Sequence, residues 1–162
     1  MNDMSSRMNA AEADCRASGS AFNLDAAHIW RSKLVEKCAE AERHVLRLLQ
    51  RAGATCQAKA PLSQKIEALK KALAVNLSNL RSAPILALLD DLRPLSDLRS
   101  DLVHSTVSVA TVEGSPVAVF RKTSEQEAGV GDRRIITAAG FKDLHEALSG
   151  VANRLKQEAA RT

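Results

Sequence analysis

Six residues, Trp30, Leu34, Cys38, Ala41, Val45 and Leu48, recur at intervals of four, four, three, four and three positions. An α-helix turns once every 3.6 residues, so side chains at these intervals lie on one continuous stripe. A stripe of that length has to be buried against other apolar surface, which makes packed helices the expected architecture. Hydrophobic residues make up 45% of the chain but aromatic residues only 2%. The core must therefore be built from Leu, Ala, Val and Ile, which suits helix packing. The first helix is expected from Leu24 to Arg51, with Asn23 or Asp25 as its N-cap and Gly53 as its stop.

Further helical patterns follow. Pro61 and Ser63 open a second helix carrying Ile66, Leu69, Leu73 and Val75, which fades around "NLSNLRS". Pro84 starts a third, in which Ile85, Leu88, Leu92, Leu95, Leu98 and Leu102 step by three or four. Pro94 lies inside this run and is expected to kink or split it, because it removes a backbone donor and crowds the preceding turn; the apolar stripe passes straight through it, which favours a kink. After His104 the period changes to two. Val107, Val109 and Thr111, then Glu113-Gly114, then Val117 and Val119 form the pattern of a β-hairpin, with Pro116 placing part of it on an edge. "SEQEAGVGD" is a polar loop, and "RRIIT" a short third strand. Phe141, Leu144, Leu148, Val151 and Leu155 mark a last helix from about Ala138 to Ala160. The sequence is thus organised as a polar tail over residues 1–20 and a single domain over residues 21–162. The fold class is mainly α: four helices with a small β-hairpin inserted between the third and fourth.

Composition removes several classes of function. The absence of Tyr and the single Trp argue against an aromatic platform for stacking bases. Cys15, Cys38 and Cys56 are too far apart for a zinc knuckle or a redox dithiol, and are expected to be reduced thiols of a cytoplasmic protein. The N-terminus has no apolar stretch of the secretory type, and no run of residues is long enough to span a bilayer. No Gly-rich phosphate loop, Ser-His-Asp set or nucleophile elbow occurs. Net charge is +4, but it is unevenly spread. Between Arg51 and Arg81 six basic residues face a single acid, Glu67. Lys65, Lys70 and Lys71 within that segment are candidates for contact with an RNA backbone.

The strongest functional pattern is "LRSDLVHSTV", residues 98–107. Residues five apart on a regular helix differ by 500° of rotation, or about 140° around the axis. Arg99 and His104 therefore cannot share a pocket on one straight helix. Either the chain turns at this point, which the change to a period of two after His104 supports, or a second copy related by a two-fold axis supplies the missing partner. Ser100 and Asp101 lie four and three residues before His104, on its face. Asp101 is placed to orient the imidazole, and the negative end of the helix favours its charged form.

The segment "LLDDLRPLSDLRSDLVHS" resembles the end of the third helix in HEPN (higher eukaryotes and prokaryotes nucleotide-binding) domains, whose motif is an Arg, a polar residue and, a few positions on, a His. The resemblance implies a four-helix up-and-down bundle and a homodimer that cuts RNA without a metal. Arg99 would then steady the phosphate and His104 would assist attack by the 2′-hydroxyl, with Ser100 and Asp101 in support. Ser100 stands where active members more often carry Asn, Asp or His, and its hydroxyl keeps the ability to hydrogen-bond. A toxin or defence role, with an antitoxin or other protein partner, belongs to the same resemblance, as does the alternative of a non-catalytic module that dimerises and binds a nucleotide or a protein.

Other constellations are expected to be structural. Asp25/His28 and Asp101/His104 have the carboxylate-x-x-His spacing of bundle metal sites but lack the inward carboxylates of other helices, so no metal and no cofactor are expected. Glu36, Glu40 and His44 form a solvated ladder of charges. His145 is expected at the surface.

Overall fold

A computed structural model of the chain describes residues 22–75, 82–122 and 133–161. The polar tail, the fading end of the second helix before Ser82 and the "SEQEAGVGD" loop lie outside these residues. Four helices hold 71% of the described residues. They are α1 (Leu24–Arg51), α2 (Leu62–Val75), α3 (Ser82–His104) and α4 (Ala138–Ala160). Between α3 and α4 stands an antiparallel sheet of three strands, in the order β1 (Ser105–Val112), β2 (Ser115–Lys122) and β3 (Arg133–Thr137). None of the described helices is long and apolar enough to cross a membrane.

Local chemistry sets the boundaries. The Asn23 side chain accepts a hydrogen bond from the Ala26 N–H at 2.9 Å and so starts α1. Gly53, with φ of 68°, ends it. Pro84 sits in the first turn of α3, where its missing donor costs nothing. Pro94 does not split that helix. It is exposed, so the carbonyl it leaves without a helical donor can be met by solvent.

The stripe of α1 meets the apolar faces of the other three helices. Leu34, Val45 and Leu48 are fully buried, as are Leu69, Leu89, Leu92, Leu148 and Leu155. Two arginines of α1 cap the ends of neighbouring helices, whose last carbonyls have no partner within the helix. Arg31 donates to the Val103 carbonyl of α3 at 3.1 Å, and Arg51 to the Glu158 and Ala159 carbonyls of α4 at 3.2 and 3.0 Å.

The chain's aromatic residues are three Phe and one Trp, and all four gather around Phe141. Its ring lies 5.9 Å from Phe22, 6.4 Å from Trp30 and 6.0 Å from Phe120. This cluster joins α1, β2 and α4, and it holds the sheet against the helices. His145 belongs to its margin: it is half-buried, edge-on to Trp30 at 5.9 Å, and not at the open surface.

The sheet has no linker on either side. His104 ends α3 and Ser105 begins β1. Thr137 ends β3, and its hydroxyl accepts from the Gly140 N–H at 2.9 Å as the N-cap of α4. A Cβ at Gly140 would stand 3.2 Å from that hydroxyl oxygen, which accounts for the glycine. The hairpin turn is Glu113-Gly114, both with positive φ, as a two-residue type I′ turn requires. β2 is the central strand, not an edge. Pro116 is nevertheless tolerated, because β3 pairs only from Val117 onward.

One helical expectation fails. His44 is 5% exposed, with Nδ1 lacking a hydrogen-bond partner, and is no part of a solvated ladder. The reason is its place on α1: it is one residue before Val45 and three after Ala41, within the width of the buried stripe. Burial and the charges of Arg47, Arg43 and Lys156 hold its pKa below the ordinary value, against the pull of Glu40. A histidine depressed in the folded state contributes stability above its unfolded pKa of about 6.5, and that stability drains as pH falls below it. The urea midpoint is expected to drop between pH 7 and pH 5, and His44→Gln is expected to flatten that dependence. Separately, Phe141→Ala is expected to cost about 3–5 kcal/mol in urea unfolding, as removal of a buried aromatic does.

Candidate functional site at the end of α3

The last two turns of α3 divide by burial. Leu98 and Leu102 enter the core, Arg99 is half-buried, and Ser100 and His104 are exposed. Arg99 lies within electrostatic reach of α1. Its charge acts on the Cys38 thiol, which burial nevertheless pushes up to about 11. Its Nε atom is buried without a hydrogen-bond partner. The helix is continuous through His104, so Arg99 and His104 keep the divergence of a regular helix. Of the two routes to convergence, a turn of the chain between them is not taken.

Asp101 is the best-connected member of the motif. Its Oδ2 accepts from Arg134 Nη2 at 2.7 Å and Nε at 3.1 Å, and its Oδ1 lies 3.2 Å from Lys122 Nζ. Burial pushes its pKa up, but the hydrogen bonds from Arg134 and Lys122 outweigh burial and hold the carboxyl below its ordinary range. The carboxylate that the sequence assigns to His104 is thus committed to two cations of the sheet. Strand register produces this. Ser105 is opposite Lys122, Phe120 opposite Arg134, and Arg121 opposite Arg133. Phe120 and Lys122, two apart, share the face that looks onto α3.

A cavity of about 360 Å³ opens here, lined by Asp101, Ser105, Phe120, Lys122, Arg133, Arg134 and Ile135. Ser105 is the residue next to His104, so the cavity adjoins the motif. None of these cations was singled out from sequence. They are divided between "FRK" and "RR", in two strands, and a count along the chain does not see them as one group. The available signal was two basic pairs ending and beginning adjacent strands.

The basic segment around α2 behaves differently. Lys65 is 3% exposed, bonded to Glu42 and to the Ala58 carbonyl. It cannot meet an RNA backbone as expected. Its position, three after Leu62 and four before Leu69, puts it on the apolar stripe, and an acid of α1 neutralises it there. Lys70 pairs with Asp90 at 2.6 Å. Lys71 is exposed. No group of three or more His, Cys, Asp or Glu arranged to hold a metal ion occurs among the described residues. Cys38 and Cys56 are free thiols, one buried and one half-buried.

Searches of protein-family models, of curated proteins and of solved structures returned no match to this chain.

The Lys65–Glu42 pair has a measurable consequence. Glu42→Gln leaves a buried ammonium uncompensated and is expected to cost about 3–5 kcal/mol in urea unfolding, whereas Lys65→Met, which keeps the volume and removes the charge, is expected to cost much less.

Proposed function

We propose that the chain is a HEPN-like protein, with its four helices running up and down as one bundle and two copies associating beside the end of α3. The cleft between the copies would be a metal-independent endoribonuclease. The observation that supports this most directly is the continuity of α3 through His104. Arg99 and His104 of one chain diverge by about 140°, and a two-fold axis beside the helix supplies each with a partner from the other copy.

In that cleft the exposed imidazole of His104 takes the proton of a ribose 2′-hydroxyl. The oxygen attacks the adjoining phosphorus, and the bond to the 5′-oxygen breaks. The 5′-oxygen leaves with a proton from the second copy's His104, which enters the step as imidazolium and ends as neutral imidazole, and the other product ends in a 2′,3′-cyclic phosphate. Arg99 binds the charge that builds on the phosphoryl oxygens. The Ser100 hydroxyl, exposed on the same turn, is a hydrogen-bond donor to the same group. A cytoplasmic toxin or defence component with an antitoxin-type partner is consistent with this chemistry. The commitment of Asp101 to Arg134 and Lys122 favours a second reading, a non-catalytic module that binds nucleic acid or protein through the same surface.

RNA cleavage measured in EDTA separates the two. The native chain is expected to leave cyclic phosphate ends, and His104→Ala to be slower by about 100-fold or more. Equal rates for the two proteins, or no cleavage by the native chain, removes the catalytic assignment.

A further inference from the structure

We propose that the cavity between the end of α3 and the strands β2 and β3 is a binding site for a backbone phosphate of single-stranded RNA, held by Lys122, Arg133 and Arg134. Three cations and one carboxylate line it, for a net charge of +2. Asp101 holds Arg134 through two hydrogen bonds to one oxygen and Lys122 through the other oxygen. It thus fixes two of the three cations in place while cancelling only part of the charge of the site.

Arg121 and Arg133 add a second sign of anion binding. They are directly opposite on neighbouring strands, on the sheet face away from Asp101, and both are exposed; Arg133, at the start of β3, also lines the cavity, so the pair flanks its edge. Like charges in that relation destabilise a sheet. A cross-strand pair of this kind is relieved when a polyanion lies against it. Guanidinium groups suit the task, because their forked donors match the oxygens of a phosphate.

RNA is favoured over a small anion by the position of the cavity. Ser105 lines it and follows His104 directly. A strand whose reacting phosphodiester sits at His104 would run a neighbouring phosphate into this cavity. The assignment rests on the proposed RNA function, but it does not require cleavage. It also moves the RNA contact from α2, where Lys65 and Lys70 are paired with acids, to the sheet.

Binding of a short fluorescein-labelled oligouridine, followed by anisotropy across a salt series, tests it. Arg133→Gln and Arg133→Gln/Arg134→Gln are compared with the native chain and with Lys156→Gln, an exposed cation near the far end of α4, each checked for native helix content by circular dichroism. The double variant is expected to bind at least tenfold more weakly. Its slope of log affinity against log salt should fall by about 0.7, the value for one lost phosphate contact on a single strand. The single variant should lie between, and Lys156→Gln near the native chain. Unchanged affinity and slope in the single variant, which disturbs no contact of Asp101, overturns the site, as does failure of the native chain to bind the oligonucleotide. Displacement of the oligonucleotide by inorganic phosphate beyond the effect of equal ionic strength from chloride also overturns it, in favour of a small-anion site. Binding with the expected losses but no cleavage leaves the site standing and removes only the catalytic assignment.

Discussion

The aromatic cluster around Phe141 is the contact on which the rest of the arrangement depends. In a chain so poor in aromatic residues, Phe22, Trp30, Phe120 and Phe141 meet at ring separations between 5.9 and 6.4 Å. Rings at these distances bury large apolar areas and prefer defined mutual orientations. The cluster draws one residue from the central strand and places it among α1 and α4. Because the sheet joins α3 and α4 without linkers, anchoring Phe120 also sets where the strand ends lie. Lys122 is two residues beyond Phe120, and Arg134 is opposite it. The cations that reach Asp101 are therefore positioned by the packing of a phenylalanine ring.

Asp101 completes that link from the other side. A half-buried carboxylate carries a desolvation penalty unless it is paired and hydrogen-bonded. Arg134 and Lys122 meet that requirement, and in doing so they join the end of α3 to two strands. The same pairing concentrates basic side chains beside Ser105 and His104. Structural and electrostatic roles coincide at this point, since the charges that hold the sheet to the helix also line the cavity.

Much of this was legible in the chain itself. The stripe from Trp30 to Leu48, the Glu113-Gly114 turn, the "RRIIT" strand and the helix beginning at Ala138 all follow from periodicity and turn chemistry over a few residues. Two side chains were misplaced for a common reason. Lys65 and His44 each lie within the angular width of an apolar stripe, yet were assigned to solvent by residue type. Polar character gave way to helix phase, because Glu42 was available to pair with Lys65 and because the stripe of α1 is wide enough to enclose His44. The basic cavity was missed for a different reason. Its members come from two strands, and only their register brings them together.

Helix and strand identity and the breaks between elements were determined by the sequence alone, since each depends on φ/ψ preference and spacing within one segment, whereas the unbroken run of α3 through His104, which keeps Arg99 and His104 apart, was shown only by the structure. The tertiary structure decided which partners the charges took: Lys65 with Glu42, Lys70 with Asp90, and Asp101 with Arg134 and Lys122. Ion pairing is set by distance through space. Partners 20 to 33 residues apart along the chain become neighbours only after the apolar faces have packed and the strands have found their register.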